Sequence, residues 1–156
     1  MKDLTPFVSR VTYYKEYAYY LNKEGHALLG QRKVVSRNRM EHALLRNEAW
    51  LHLFCPDDWQ IEPEIRYRKN REKERIIPDV KFRDEEGILH AVEVDRLQKI
   101  KINEEKLKKY EEFTHIYKQK YNGKVPIIHF FTVTKYREQK LEQLAAKYDM
   151  YVIQSI

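Results

Sequence analysis

Between Pro126 and Thr134 the chain reads Ile-Ile-His-Phe-Phe-Thr-Val, an apolar run without alternation. A run this short and uniform suits a central strand covered on both faces, which demands neighbouring strands and helices above and below. The flanking segments supply helices. Before it, Leu107, Tyr110, Phe113, Tyr117 and Tyr121 step by three or four residues, predicting a long helix capped by Asn103 and closed by Asn122-Gly123. After it, Tyr136 to Tyr148 predicts a second helix with Leu141, Leu144 and Ala145 inward, and Met150 to Ile153 a last strand.

Earlier in the chain, Leu44, Leu45 and Leu51 predict a helix over Asn38 to Phe54, ended by Pro56. Three strand-like runs follow, Ile61 to Arg68, Ile76 to Phe82 and Ile88 to Asp95, suggesting an antiparallel meander. From residue 38 the order is therefore α-β-β-β-α-β-α-β, an α/β chain built as an α+β mixed sheet with helices packed on it. Ahead of it, residues 11–21 read as two aromatic strands turning at Lys15-Glu16. A helical turn runs from Asn22 to Gly30, and Gln31 to Arg37 looks like a basic linker. Two parts are expected, 1–37 and 38–156.

The single cysteine, Cys55, excludes a disulfide framework and a Cys-rich zinc module, which points to a reducing compartment. No segment approaches the ~20 apolar residues that cross a bilayer, and Met1 to Pro6 lacks a secretory leader. A cytoplasmic location and no membrane partner are expected. Lys plus Arg number 30 against 24 Asp plus Glu, a net charge of +6, which favours a polyanionic partner.

Alternation places Leu89, Ala91, Glu93 and Asp95 on one face of the third strand. Two carboxylates sharing an apolar face repel each other unless a positive group sits between them, and a divalent ion held by oxygens answers that need. Asp79 follows Pro78 after an apolar run and reaches Glu93 if the two strands pair. Glu48, inside the apolar stripe of the first helix, is either a fourth oxygen donor or a partly exposed helix residue. His90 and His129 sit in apolar runs and read as core histidines rather than ligands.

Helix, three strands with Pro-Asp on the second and Glu-x-Asp on the third, then helix and strand, resembles the PD-(D/E)XK phosphodiesterases. That resemblance implies a restriction-endonuclease-like αβββαβ core in which Asp79 and Glu93 hold Mg²⁺ or Mn²⁺, with Glu48 and Asp95 beside them. It also implies a lysine two residues after the Glu to orient the attacking water. Asp95 stands there instead, leaving Lys81 or Lys106 to supply the charge.

A second resemblance covers nearly the whole chain. Tyr19 to Gly25, His42-Ala43-Leu44-Leu45-Arg46-Asn47-Glu48, Pro78-Asp79, Glu93-Val94-Asp95-Arg96 and the lysine-rich helix ending in Tyr110 are similar to the bacterial replication-relaxation family. This implies a DNA-binding protein of plasmid or mobile-element replication, with replication proteins as further partners. It also implies a winged helix at the front, of which residues 11–21 match the wing and 22–29 the helix after it. Only about ten residues precede the wing, so the appendage is a partial winged helix, which a homodimer would complete.

Basic clusters point to nucleic acid independently. Arg66, Arg68, Lys69, Arg71, Lys73 and Arg75 crowd one segment, with the loop expected to form a mobile arm able to contact phosphates without choosing a sequence. Lys99, Lys101, Lys106, Lys108 and Lys109 form a second cluster. The tyrosines of the first hairpin, Tyr13, Tyr14, Tyr17, Tyr19 and Tyr20, read first as rings packing it on its neighbour, and second as stacking partners for bases.

Overall fold

The computed structural model describes residues 6–13, 15–30, 37–148 and 151–155, and divides the chain into two compact units, 1–40 and 41–156. In the first, β1 (Val8–Tyr13) and β2 (Glu16–Leu21) pair antiparallel from Val8↔Leu21 to Tyr13↔Glu16, turning at Lys15, whose φ is +71°. The short helix α1 (Lys23–Leu28) follows directly because Asn22 caps it. The Asn22 side chain accepts from the Gly25 N–H at 2.9 Å and donates to the Pro6 carbonyl at 2.9 Å. Gly25 is demanded by a close approach, since a Cβ there would lie 2.3 Å from the Phe7 carbonyl oxygen. The expected basic linker lies outside the described residues except for Arg37, which opens α2 (Arg37–His52).

Leu45 and Ala49 are the buried positions of α2. The helix stops where Phe54 and Cys55 both take positive φ and the Cys55 N–H reaches back to the Trp50 carbonyl at 2.9 Å. Next come β3 (Gln60–Ile61), β4 (Ile65–Lys69), β5 (Glu72–Ile76), β6 (Val80–Arg83) and β7 (Leu89–Asp95). The long helix α3 (Ile100–Lys120), β8 (Ile127–Thr132), α4 (Lys135–Ala145) and β9 (Tyr151–Ser155) complete the chain.

Five strands form a mixed sheet in the order β3-β6-β7-β8-β9, antiparallel from β3 to β7 and parallel from β7 to β9. Helix α2 covers one face, where Leu45 and Ala49 pack with Val80, Phe82, Val92, Val94 and Phe131. Helices α3 and α4 cover the other, where Leu107, Tyr110, Phe113 and Leu141 meet Ala91, Ile128 and Phe130. The protein is thus a mixed α/β fold, and the apolar run from Ile127 is the doubly covered strand its composition demands. No helix among the described residues is long and apolar enough to cross a membrane.

Two expectations are corrected. The run from Ile61 to Arg68 is not a full strand of the sheet. Only Gln60–Ile61 joins β6, and β4 turns away to pair with β5 in a separate hairpin. Glu62, with φ at +49°, and Pro63 redirect the chain there, while Pro78, which lacks an N–H, separates β5 from β6. Nor does Asn103 cap α3: the helix begins three residues earlier, after a loop anchored by an Arg137 bond to the Gln98 carbonyl at 2.6 Å. Asn103 lies fully buried inside it, with neither amide atom bonded among the described residues.

Candidate functional site

Strand β7 is antiparallel to β6 and parallel to β8, so its C-terminal end is where the sheet changes direction, a favoured place for ligands in α/β folds. The period of two delivers Glu93 and Asp95 to the α3–α4 side of that end. Glu93 is only 2% exposed. Its Oε1 accepts from the Tyr110 hydroxyl at 2.6 Å and its Oε2 from Lys106 Nζ at 2.5 Å, the two donors lying one helical turn apart on α3. Burial pushes the Glu93 carboxyl up to about 7, because the lost hydration outweighs the pull of Lys106 and Asp79 adds repulsion. Burial works against the charge on Lys106 too, but Glu93, with Asp79 and Asp95, more than offsets it and raises that amine.

Asp79 stands just before β6. Its Oδ2 accepts from the Val94 N–H at 2.7 Å and its Oδ1 lies 3.1 Å from His42 Nε2 on α2. Burial opposes its charge, yet the His42 bond, the Val94 N–H and the field of Lys106 together hold it below the usual carboxylate range. The same bond to Asp79 raises His42 in spite of burial. Asp95 is clasped by Arg137 of α4 through Nε and Nη2, both at 2.8 Å, and Arg96 pairs with Glu41.

The structure therefore brings Asp79, Glu93 and Lys106 into one network and gives Asp95 to Arg137. Glu48 is exposed on α2, and Lys81 sits opposite Ala91 beside a separate cleft. Both oxygens of Asp79 and of Glu93 already accept from protein donors. Among the described residues no group of three or more His, Cys, Asp or Glu is arranged to hold a metal ion. As placed, these residues do not fit a divalent ion. What the network offers is a buried carboxyl that exchanges its proton near neutrality beside a fixed ammonium. His90 and His129 bond each other at 2.8 Å among the stacked rings of Phe82 and Phe131, and burial pushes His129 down to about 4.

The β4–β5 register produces an unusual surface. Arg66 faces Arg75 and Arg68 faces Lys73, so four cations occupy one side of a two-stranded hairpin in two directly opposed like-charged pairs. Glu64 bonds Arg66 at 2.6 Å and Arg75 at 3.3 Å, and is lowered by them. Lys69 lies on the other side, where it bonds Glu112 of α3 at 2.6 Å while Tyr67 packs on Phe113. Asn70 and Arg71 make a tight turn, with φ of +48° and +72°, in place of the expected mobile arm.

A cleft of about 1120 Å³ borders this hairpin, lined by its four cations with Asp58, Glu64 and Glu74, and by Lys81, Arg83, Lys109 and Lys120, with Tyr117 and Tyr121 among its aromatic walls. A smaller cavity of about 270 Å³ opens onto Glu93, Lys106 and Tyr110. Arg75 and Lys109 border both, so the cationic surface leads to the buried carboxyl.

Three partners of the site carboxylates escape sequence reasoning. Tyr110 has a signal, being four residues after Lys106 on an otherwise apolar stripe. His42 and Arg137 have none, because their partners lie 37 and 42 residues away.

No curated protein matches the chain. The model of the replication-relaxation family matches residues 1–128, a span containing the N-terminal hairpin, the cationic hairpin and the Asp79–Glu93–Lys106 network. This chain belongs to the replication-relaxation family.

Proposed function

We propose that the chain binds DNA and acts in the replication or relaxation of a bacterial mobile element. The carrying observation is the β4–β5 face. Opposed like charges weaken a hairpin, and a polyanion laid across Arg66–Arg75 and Arg68–Lys73 relieves that repulsion while releasing its own counterions. The hairpin and capped helix of the first unit support reading residues 11–29 as a wing and the helix after it, a second DNA-facing element. The test is fluorescence anisotropy with labelled duplex across a salt series. Affinity should fall steeply with salt, and Arg66→Glu with Arg68→Glu should both weaken binding and flatten the slope by about two. A slope untouched by charge reversal removes this face from the reading.

A second reading is favoured by the cavity that opens on Glu93. In it the chain cleaves phosphodiesters, its core being of the restriction-endonuclease-like kind. Lys106 stands in for the motif lysine, and Mg²⁺ or Mn²⁺ would have to displace the donors that Asp79 and Glu93 now hold. Metal-dependent nicking of supercoiled plasmid, lost in Asp79→Ala and Glu93→Ala, supports it. Intact plasmid with either metal rejects it.

A further inference from the structure

Nearly all the net charge lies at the front of the chain. Residues 1–40 hold eight Lys and Arg against three Asp and Glu, whereas the remaining 116 hold 22 against 21. Within that segment the register puts Arg10 opposite Tyr19 and Thr12 opposite Tyr17, so Arg10, Tyr17 and Tyr19 share one face of the β1–β2 hairpin. The opposite face carries buried Ala18 and half-buried Tyr20. The shared face is open: Tyr17 is 57% exposed and Tyr19 54%. The Arg10 guanidinium lies over the Tyr17 ring, 4.4 Å from its centroid.

We propose that this face is a stacking platform for unpaired bases of single-stranded DNA, with Tyr17 and Tyr19 taking the bases and Arg10 an adjoining phosphate. The proposal rests on the DNA-binding reading and adds to it a strand preference and a second site. Residues two apart on a strand stand about 7 Å apart, twice the ~3.4 Å step of a nucleic-acid strand, so neighbouring rings match alternate layers of a base stack. Rings half exposed on a hairpin can stack on any base whose face is free. A duplex hides those faces inside its stack, so only an unpaired strand can use them. The surplus of five positive charges on the segment selects a polyanion over an apolar protein partner.

The test uses the intact chain and three probes in anisotropy titrations: a thymidine oligonucleotide of about twelve nucleotides, an abasic strand of equal length and charge, and a duplex. The thymidine strand should bind about tenfold or more tighter than the abasic strand. Tyr17→Ala with Tyr19→Ala should erase that difference while leaving abasic and duplex affinities unchanged, and the Phe double variant should restore it. Circular dichroism checks that the variants remain folded, as exposed positions should. Equal binding of thymidine and abasic strands, or an alanine variant that keeps the difference, overturns the platform. If duplex still binds in either case, the DNA-binding reading survives alone. If no probe binds, both readings fall. A tyrosine-dependent dimer on size exclusion would assign the face to a second copy of the chain and also overturn the proposal.

Discussion

Replacing Glu93 by Gln should make the protein more stable in mild alkali. Between pH 4.5, where a glutamate ordinarily releases its proton, and the value of about 7 that burial imposes, the folded chain keeps a proton that the unfolded chain has lost. The folded state binds more protons over that interval, so its stability falls as pH rises. At about 1.4 kcal/mol per pH unit the loss is about 3 kcal/mol by pH 8. His42 acts in the same direction over a higher window: its raised pKa gives stability that is whole below 6.5 and lost as pH climbs through the folded value. Asp79 acts oppositely: held below 3.8, it gives stability that is whole above that value and lost as pH falls through the lowered one. His129, which burial pushes down to about 4, opposes Glu93 between pH 4 and 6.5, so the parent's own curve is nearly level there and the Glu93 contribution is read from the difference between parent and variant. Gln mimics the protonated carboxyl and does not titrate, so Glu93→Gln should match the parent near pH 5 and exceed it by about 3 kcal/mol near pH 8. Urea denaturation followed by circular dichroism at pH steps from 4.5 to 8 measures both curves. Parallel curves, or a variant less stable at pH 8, would refute the burial argument for Glu93.

Arg137→Met leaves the buried Asp95 without its two-pronged partner, and a loss of about 3 to 5 kcal/mol is expected in the same denaturation assay at neutral pH. Gly25→Ala drives a Cβ onto the Phe7 carbonyl oxygen, so amide exchange should quicken across residues 8–28 while the sheet of the second unit keeps its protection. Arg68→Thr with Lys73→Thr removes a like-charged pair: the melting temperature should hold or rise while DNA affinity and its salt slope both fall.

Most of the second unit is legible because hydrophobic period carries it. The run at Ile127, the alternation along β7 and the three-four stepping of α3 each dictate one element and one buried face. Reasoning fails where two solutions share a pattern. In α2 the stripe through Leu44, Glu48 and Leu51 and the stripe through Leu45 and Ala49 differ by one residue of rotation. The structure buries the second, and so Glu48 ends in solvent. In β4 the alternation of Ile65 and Tyr67 is real, but it faces α3 rather than the sheet interior, since nothing in a strand's period names the surface it meets. The carboxylates that define the site are visible as letters, whereas the donors that neutralise them arrive through folding from 13 to 42 residues away.

That contrast separates the two charged regions of the molecule. Asp79, Glu93 and Asp95 are each matched inside the protein, by His42, by Lys106 and Tyr110, and by Arg137, so the fold alone accounts for their presence. Among the described residues the β4–β5 face is matched only at Glu64, which reaches Arg66 and Arg75 and leaves the Arg68–Lys73 pair facing each other without an acid between them. Four cations on one face of a two-stranded hairpin lower the stability of the folded chain. Balanced charge is what a fold needs of its interior; unbalanced charge on a rigid hairpin, bordering a cleft that leads inward to a proton-exchanging carboxyl, is what an external polyanion needs of a receptor. On the proposed DNA-binding reading, the polyanion would meet the hairpin before it reaches the cavity that opens on Glu93.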